Sequence, residues 1–245
     1  KIVIFDVDNT LIKGNSLIIA AWCANKSYKF FLKLMYFFPI FLISKIGILS
    51  AKELKEKFLN IFDICKMFND NSENFYNKLV LSKLRKEAIA KFNYHKKKGH
   101  KIYLCSASPE ILLQNLSKKL EVKIISTRLL FINNKWLPQI DGLNCSGQEK
   151  LNQIIKQISP INKIDLEVYG YSLGDKEILE AADHPHFRNF ESRDVQYPLI
   201  SMKSVLMIFI ILVCIYYLLN NLLLGNQFYL IIRQSKNIIF FGVCI

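Results

Sequence analysis

Residues 1–14 read KIVIFDVDNTLIKG: an apolar, β-rich run from Ile2 to Phe5 passes directly into a polar loop, 6–10, that carries Asp6 and Asp8 two positions apart. A run of that length and composition is a strand, ended by the polar loop. Short apolar runs of the same kind recur at 101–105 (KIYLC), 122–126 (VKIIS) and 166–169 (LEVY). Between and after them lie helix-length amphipathic segments at 85–98, 109–120, 148–158 and 176–182.

Strands alternating with helices predict an α/β fold, a Rossmann-like parallel sheet with helices on both faces. Such sheets bind ligands beyond the carboxyl ends of their strands. Asp6, Ser106 and the loop after Tyr169 all fall at such ends. Two regions interrupt the alternation. Residues 15–84 contain no clear strand and read as several helices, a helical cap inserted after the first strand; within it SAKELKEKFLNIF (50–62) carries a Ser50 cap and an apolar stripe at Leu54, Phe58 and Ile61. TRLLFINNKWLPQIDG (127–142) reads as two β runs around Asn133-Asn134, a hairpin projecting from the sheet.

The C-terminal part differs again. Residues 204–232 are 29 positions without a charge, flanked by Lys203 and by Arg233 and Lys236. About 20 apolar residues cross a bilayer, so the reading is a C-terminal transmembrane segment, with Asn220 and Asn221 allowing a re-entrant pair instead. The expected organisation is a catalytic core over 1–14 and 85–200, a cap over 15–84 and a membrane-spanning tail over 201–245, taken as incomplete. No secretory signal opens the chain, because the first apolar run is short and ends in Asp. The catalytic part is therefore expected on the cytoplasmic side of the inner membrane.

The chain of 245 residues has 33 basic against 20 acidic residues and a net charge of +13, which suits an anionic partner. Charge alone does not choose among a phosphorylated metabolite, nucleic acid and an acidic lipid surface. Six cysteines are scattered without a CxxC pair, which reads as reduced core thiols and argues against a disulfide framework or a zinc site.

Two carboxylates on one short loop repel each other unless a cation neutralises them, and hard oxygen ligands select magnesium. Their alternate spacing also aims them differently, so one can attack while the other serves as acid and base. The order of the remaining features is more specific than this pair. Strand, Asp-Val-Asp-Asn-Thr, helical insertion, a strand ending in SAS, a lysine in SGQEKL, then a strand and GYSLGDKEIL together resemble the haloacid dehalogenase superfamily of phosphohydrolases, over residues 2 to about 190. Within it the chain resembles the phosphoserine-phosphatase-like branch with a helical cap. NCSGQEK (144–150) and GDKEILEAADHPHFRNF (174–190) carry a closer likeness to phosphatidylglycerophosphatase C-type proteins.

The resemblance implies Asp6 as nucleophile, Asp8 as acid and base, and Lys150 as the charge that neutralises the transferring phosphoryl group. It implies phosphate binding by Ser106, Ala107 and Lys150, and magnesium held by Asp6, Asp8 and Asp175. Thr10 is expected to support the loop. One position departs from the pattern: the branch usually has an acid directly after the Gly of YG, and here it is Tyr171. Either Asp175 coordinates the ion, directly or through water, or activity is weakened. Asp183, His184 and His186 are read as a helix-ending turn around Pro185 rather than as ligands.

The resemblance also bears on the substrate. Phosphoserine phosphatases of this branch place a Glu nine residues after the nucleophile, where this chain has Asn15, and use a cap arginine, whereas no Arg precedes Arg85. A neutral amide cannot replace a carboxylate facing an ammonium, so phosphoserine fits poorly. The cap instead carries the aromatic stretch 28–49, dotted with Lys29, Lys33 and Lys45, read either as core or as a face dipping into a membrane surface. A lipid phosphate is the expected substrate, a membrane the expected partner, and no nucleic-acid partner is expected.

Overall fold

The computed structural model describes residues 1–25, 28–158 and 165–190. The proposed transmembrane segment, with Cys214 and Cys244, lies outside the described residues; among those described, no helix is long and apolar enough to cross a membrane. Residues Lys1–Glu191 form one compact unit.

Five strands make one parallel sheet in the order β3-β2-β1-β6-β7: β1 (Ile2–Phe5), β2 (Lys101–Pro109), β3 (Lys123–Thr127), β6 (Leu166–Gly170) and β7 (His184–Phe187). The central strand β1 pairs Phe5 with Leu104 on one side and with Tyr169 on the other, so Asp6 emerges between two neighbouring strand ends. Side chains alternate through the sheet. Val3, Phe5, Leu104 and Tyr169 enter one buried cluster; Ile2, Ile4, Tyr103, Cys105 and Val168 enter a second on the opposite face. Burial on both faces is why these strands read as continuous apolar runs.

The helices follow the expected alternation: α6 (Lys86–Lys97), α7 (Glu110–Leu120), α8 (Gln148–Ile158) and α9 (Lys176–Glu180). Between β1 and α6 the chain forms α1 (Ser16–Asn25), α2 (Tyr28–Lys45), α3 (Ala51–Ile61), α4 (Ile64–Asn69) and α5 (Asn74–Ser82). Ser50 caps α3 in a reciprocal box: its hydroxyl accepts from the Glu53 amide at 3.2 Å, and the Glu53 carboxylate accepts from the Ser50 amide at 2.8 Å. The expected hairpin is β4 (Leu129–Ile132) and β5 (Lys135–Ile140), turned by Asn133 and Asn134 at φ 50° and 58°. Asparagine tolerates the left-handed region that such two-residue turns need. The hairpin is held to α3: Glu56 accepts from the Ile140 amide at 2.8 Å, and Lys52 donates to the Gly142 carbonyl at 2.8 Å. Cys23, Cys65, Cys105 and Cys145 are buried.

Two elements correct the sequence reading. Strand β2 runs on to Pro109 rather than stopping at Cys105, because its serine-rich end stays paired with β3 through Ser106 and Pro109. Residues 184–187, expected as a turn, form the edge strand β7. Pro185 is tolerated there because an edge strand has one side that needs no donor. The strand is fixed by His186, whose ring stacks on Tyr169 at 4.4 Å and whose Nε2 lies 3.1 Å from Glu167 Oε1. Burial would raise the Glu167 carboxyl, but hydrogen bonds from Tyr169 and Lys1 and the nearby His95 outweigh it and hold it down to about 2.

Candidate active site

The site is assembled from loops at the carboxyl ends of β1, β2 and β6 and from the first turn of α8. Asp6 is nearly fully buried, and each of its oxygens has a donor: Lys150 Nζ on Oδ1 at 3.0 Å and the Thr10 hydroxyl on Oδ2 at 3.0 Å. Burial pushes the Asp6 carboxyl up to about 7; Lys150 pulls it down, while Asp175 and Asp8 push it further up.

Asp8 takes a different direction, toward the cap. Its Oδ1 accepts from the backbone amide of Ser16, where α1 begins, at 2.7 Å, and its Oδ2 accepts from the Ser108 hydroxyl at 2.5 Å. The Ser16 hydroxyl completes the link by donating to Ser108 Oγ at 2.8 Å. The two carboxylates of the opening motif therefore face different neighbours, as their alternate spacing requires.

Lys150 is fully buried, rare for lysine without a paired charge. Burial works against its charge, but Asp6, Cys105 and Asp175 hold its proton on well above the ordinary lysine range. Its ammonium bridges Asp6 and Asp175 Oδ1. The turn that sets it is Gly147, at φ +61°, whose amide donates to the Gly174 carbonyl at 2.9 Å. A side chain at Gly174 would place a Cβ 2.6 Å from Ser146 Oγ, so any larger residue there would have to turn that hydroxyl aside.

Asp175 ends a single 3₁₀ turn, Leu173–Asp175, and its Oδ2 accepts from the amides of Tyr171 (3.1 Å) and Ser172 (2.9 Å) and from the Ser172 hydroxyl (2.9 Å). Burial opposes its charge, but Lys150 and these donors keep its carboxyl below the ordinary value. Tyr171 presents an aromatic ring with the Arg188 guanidinium 4.9 Å above it.

Ser106 is buried, and its hydroxyl accepts from the Ser108 amide at 3.1 Å. The Ala107 carbonyl accepts from Lys55 Nζ at 2.5 Å and from the Thr127 hydroxyl at 2.7 Å. Lys55 also donates to Asn144 Oδ1. Burial lowers the Lys55 ammonium to about 8, against the attraction of Asp8.

The structure thus brings Asp6, Lys150 and Asp175 into direct contact and sets Asp8 beside the Ser106–Ser108 segment. Sequence reasoning missed Ser108, which touches Asp8, and Lys55, which comes from the cap. Ser108 had a usable signal, since it alternates with Ser106 along the end of β2. Lys55 had none among so many lysines. His184 and His186 serve β7 and lie on Asp165 and Glu167.

Among the described residues, no group of three or more His, Cys, Asp or Glu side chains is placed so that it could hold a metal ion. Magnesium does not need one: it keeps several waters and is commonly held by one or two carboxylates together with substrate phosphate oxygens. The carboxylate oxygens of Asp6 and Asp175, brought to one point at Lys150, are the hard donors that suit such an ion.

The model of the haloacid dehalogenase-like hydrolases matches residues 3–180. Protein CicA of Caulobacter vibrioides is 27% identical over 197 residues, covering 78% of this chain and 87% of that protein. A protein of unknown function from Bordetella pertussis Tohama I superposes with a TM-score of 0.63 at 19% identity, over 75% of this chain and 87% of that one. A phosphoserine phosphohydrolase-like protein from Francisella tularensis SCHU S4 superposes with a TM-score of 0.57 at 20% identity, over 76% of this chain and 85% of that one. With its sheet order, its carboxylate-bearing first loop and a match spanning most of its length, the chain belongs to the haloacid dehalogenase-like hydrolases.

Proposed function

We propose that this enzyme is a magnesium-dependent phosphomonoesterase working through an aspartyl-phosphate at Asp6, and that its substrate is a membrane lipid phosphate such as phosphatidylglycerophosphate. The observation that carries the mechanism is the division between the two carboxylates. Asp6 is buried against Lys150, while Asp8, two residues on, is turned toward the cap by Ser16 and Ser108.

In the first step an Asp6 oxygen attacks phosphorus, the bond from phosphorus to the ester oxygen breaks, and Asp8 gives its proton to the departing alkoxide. In the second step Asp8 takes a proton from water, which attacks the acyl phosphate and returns Asp6 with release of inorganic phosphate. Lys150 neutralises charge near Asp6 throughout, and Ser106 with the backbone at Ala107 offers donors for the phosphoryl oxygens. Asp6 and Asp175, with water and substrate oxygens, would hold magnesium, which when bound supplies positive charge to the phosphoryl oxygens, while the Asp8 carboxylate, also expected as a ligand, is left to the proton transfers. If Asp175 belongs to this set, Asp175→Asn should raise the magnesium concentration for half-maximal activity by roughly tenfold or more, since an anionic oxygen is lost. Calorimetric magnesium binding gives a readout without turnover. An unchanged magnesium requirement would move the ligand elsewhere.

Lys55 supports a substrate with a second anionic group. Its ammonium stands at the cap side of the site on neutral acceptors, Ala107 O and Asn144 Oδ1, which a diester phosphate could displace or join. Lys55→Met should raise KM for such a substrate roughly ten- to a hundredfold, the worth of one charge-assisted hydrogen bond, with the loss falling on KM rather than kcat. An unaltered KM would remove Lys55 from the binding site. The same ammonium would suit a carboxylate on a soluble phosphorylated metabolite, the second reading. The chargeless stretch 204–232 and the exposed aromatic cap favour the lipid and a position at the cytoplasmic side of the inner membrane. A phosphate-release screen of the purified chain in detergent, with lipid phosphates beside soluble ones, tests this. Turnover confined to soluble esters would overturn the lipid assignment.

A further inference from the structure

Helix α2 has apolar residues on every side, yet it lies on the surface of the described unit. Its inward face is Phe30, Phe37, Ile40 and Phe41, packed into the core with Phe58 and Phe62 of the next helix and its cap. Its outward face carries Phe31, Leu32, Met35, Tyr36, Leu42 and Ile43, all exposed, Tyr36 to 68%. Phe37 is its sole fully buried residue. The chain continues past the helix with Ile46, 72% exposed, and Trp22 of α1 extends the patch from the side, edge-on to Phe30 at 5.3 Å and to Phe31 at 6.2 Å. Contiguous exposed apolar surface on this scale marks an interaction site.

Charge identifies the occupant. From Asn9 to Lys52 the sequence has six lysines and no Asp or Glu. Lys29 and Lys45 stand exposed at the two ends of α2, while Lys33 is already paired with Asp63 at the surface. A second copy docked face to face would set lysines against lysines. The chain's own chargeless stretch 204–232 offers them no counter-charge. An anionic bilayer surface meets both needs, with apolar and aromatic side chains below the headgroups and lysines among them.

We propose that the outward face of α2, with Trp22, is a docking surface for an anionic phospholipid bilayer, which would present the cap side of the active site to lipid headgroups. This deepens the lipid-phosphate reading and rests on it for its purpose, but it is read without turnover. The chain contains two tryptophans, Trp22 and Trp136. In a Trp136→Phe background, Trp22 alone reports. The full chain reconstituted into phosphatidylglycerol vesicles with brominated acyl chains should show Trp22 quenching, reduced when phosphatidylcholine replaces the anionic lipid. Leu32→Asp with Tyr36→Asp should abolish the quenching, and circular dichroism should show the fold retained. Absence of quenching in the parent, or quenching unchanged by the double variant, would overturn the proposal. So would disulfide cross-linking of Met35→Cys between copies with Trp22 unquenched, which would assign the face to a second copy. Failure of the lipid-phosphatase reading would show instead as quenching that persists while no lipid phosphate is hydrolysed.

Discussion

Asp6→Asn is expected to abolish phosphate release, by at least about 10⁴-fold, while the protein remains folded. The amide is nearly isosteric with the carboxylate, and its oxygen can still accept from Lys150 or Thr10, so the surrounding contacts have partners. It loses the anionic oxygen that attacks phosphorus. Because burial already holds the wild-type carboxyl near 7, removing its charge costs the fold less than removal of a fully ionised, paired carboxylate would. Phosphate release with aryl and lipid phosphates, beside the circular dichroism spectrum, checks both halves. Retention of most activity would remove the aspartyl-phosphate mechanism.

The second large effect belongs to Asp8. Asp8→Asn removes the proton donor for the leaving alkoxide and the base for water, and general acid-base groups of this kind contribute about 10²–10⁴-fold. Its neighbours argue for local accommodation: the Ser16 amide can donate to the Asn oxygen while the Asn NH2 donates to the Ser108 hydroxyl oxygen, which can accept. The loss should be smaller for esters of acidic phenols, whose leaving groups need no proton, than for alkyl esters. A plot of rate against leaving-group pKa distinguishes this from a structural role. An equal loss for both ester classes in the rate of leaving-group release during the first turnover would show that Asp8 is not the acid.

The fold was legible where burial is symmetrical. β1, β3 and β6 are apolar runs because both sheet faces are covered, and the hairpin declared itself through two asparagines able to take positive φ. β7 was not legible, because HPHF is only four residues long and carries a proline, which argues against a strand. Its pairing comes from Tyr169 and Glu167 on a strand some twenty positions earlier. Within the site, Asp6 and Asp8 could be read from their position after a strand. The contacts of Lys150 with Asp6 and Asp175 span 144 and 25 positions, and only the order of motifs brought them to notice. Lys55 reaches Ala107 across 52 positions from a helix whose polar face holds several lysines, so nothing local set it apart. Position 171 is the converse case: the departure was visible in sequence, but Arg188 stacked on the tyrosine was not.

The proposed mechanism stands on the phosphorylation of Asp6. Acid-quenching the enzyme during turnover of an ester labelled in its phosphoryl group, followed by peptide mapping, tests it most directly. Label is expected on the peptide containing Asp6, stable in acid and released by hydroxylamine as an acyl phosphate, and none in Asp6→Asn. Phosphate release by the wild type with the protein unlabelled at every quench time, or label on a residue other than Asp6, would contradict it.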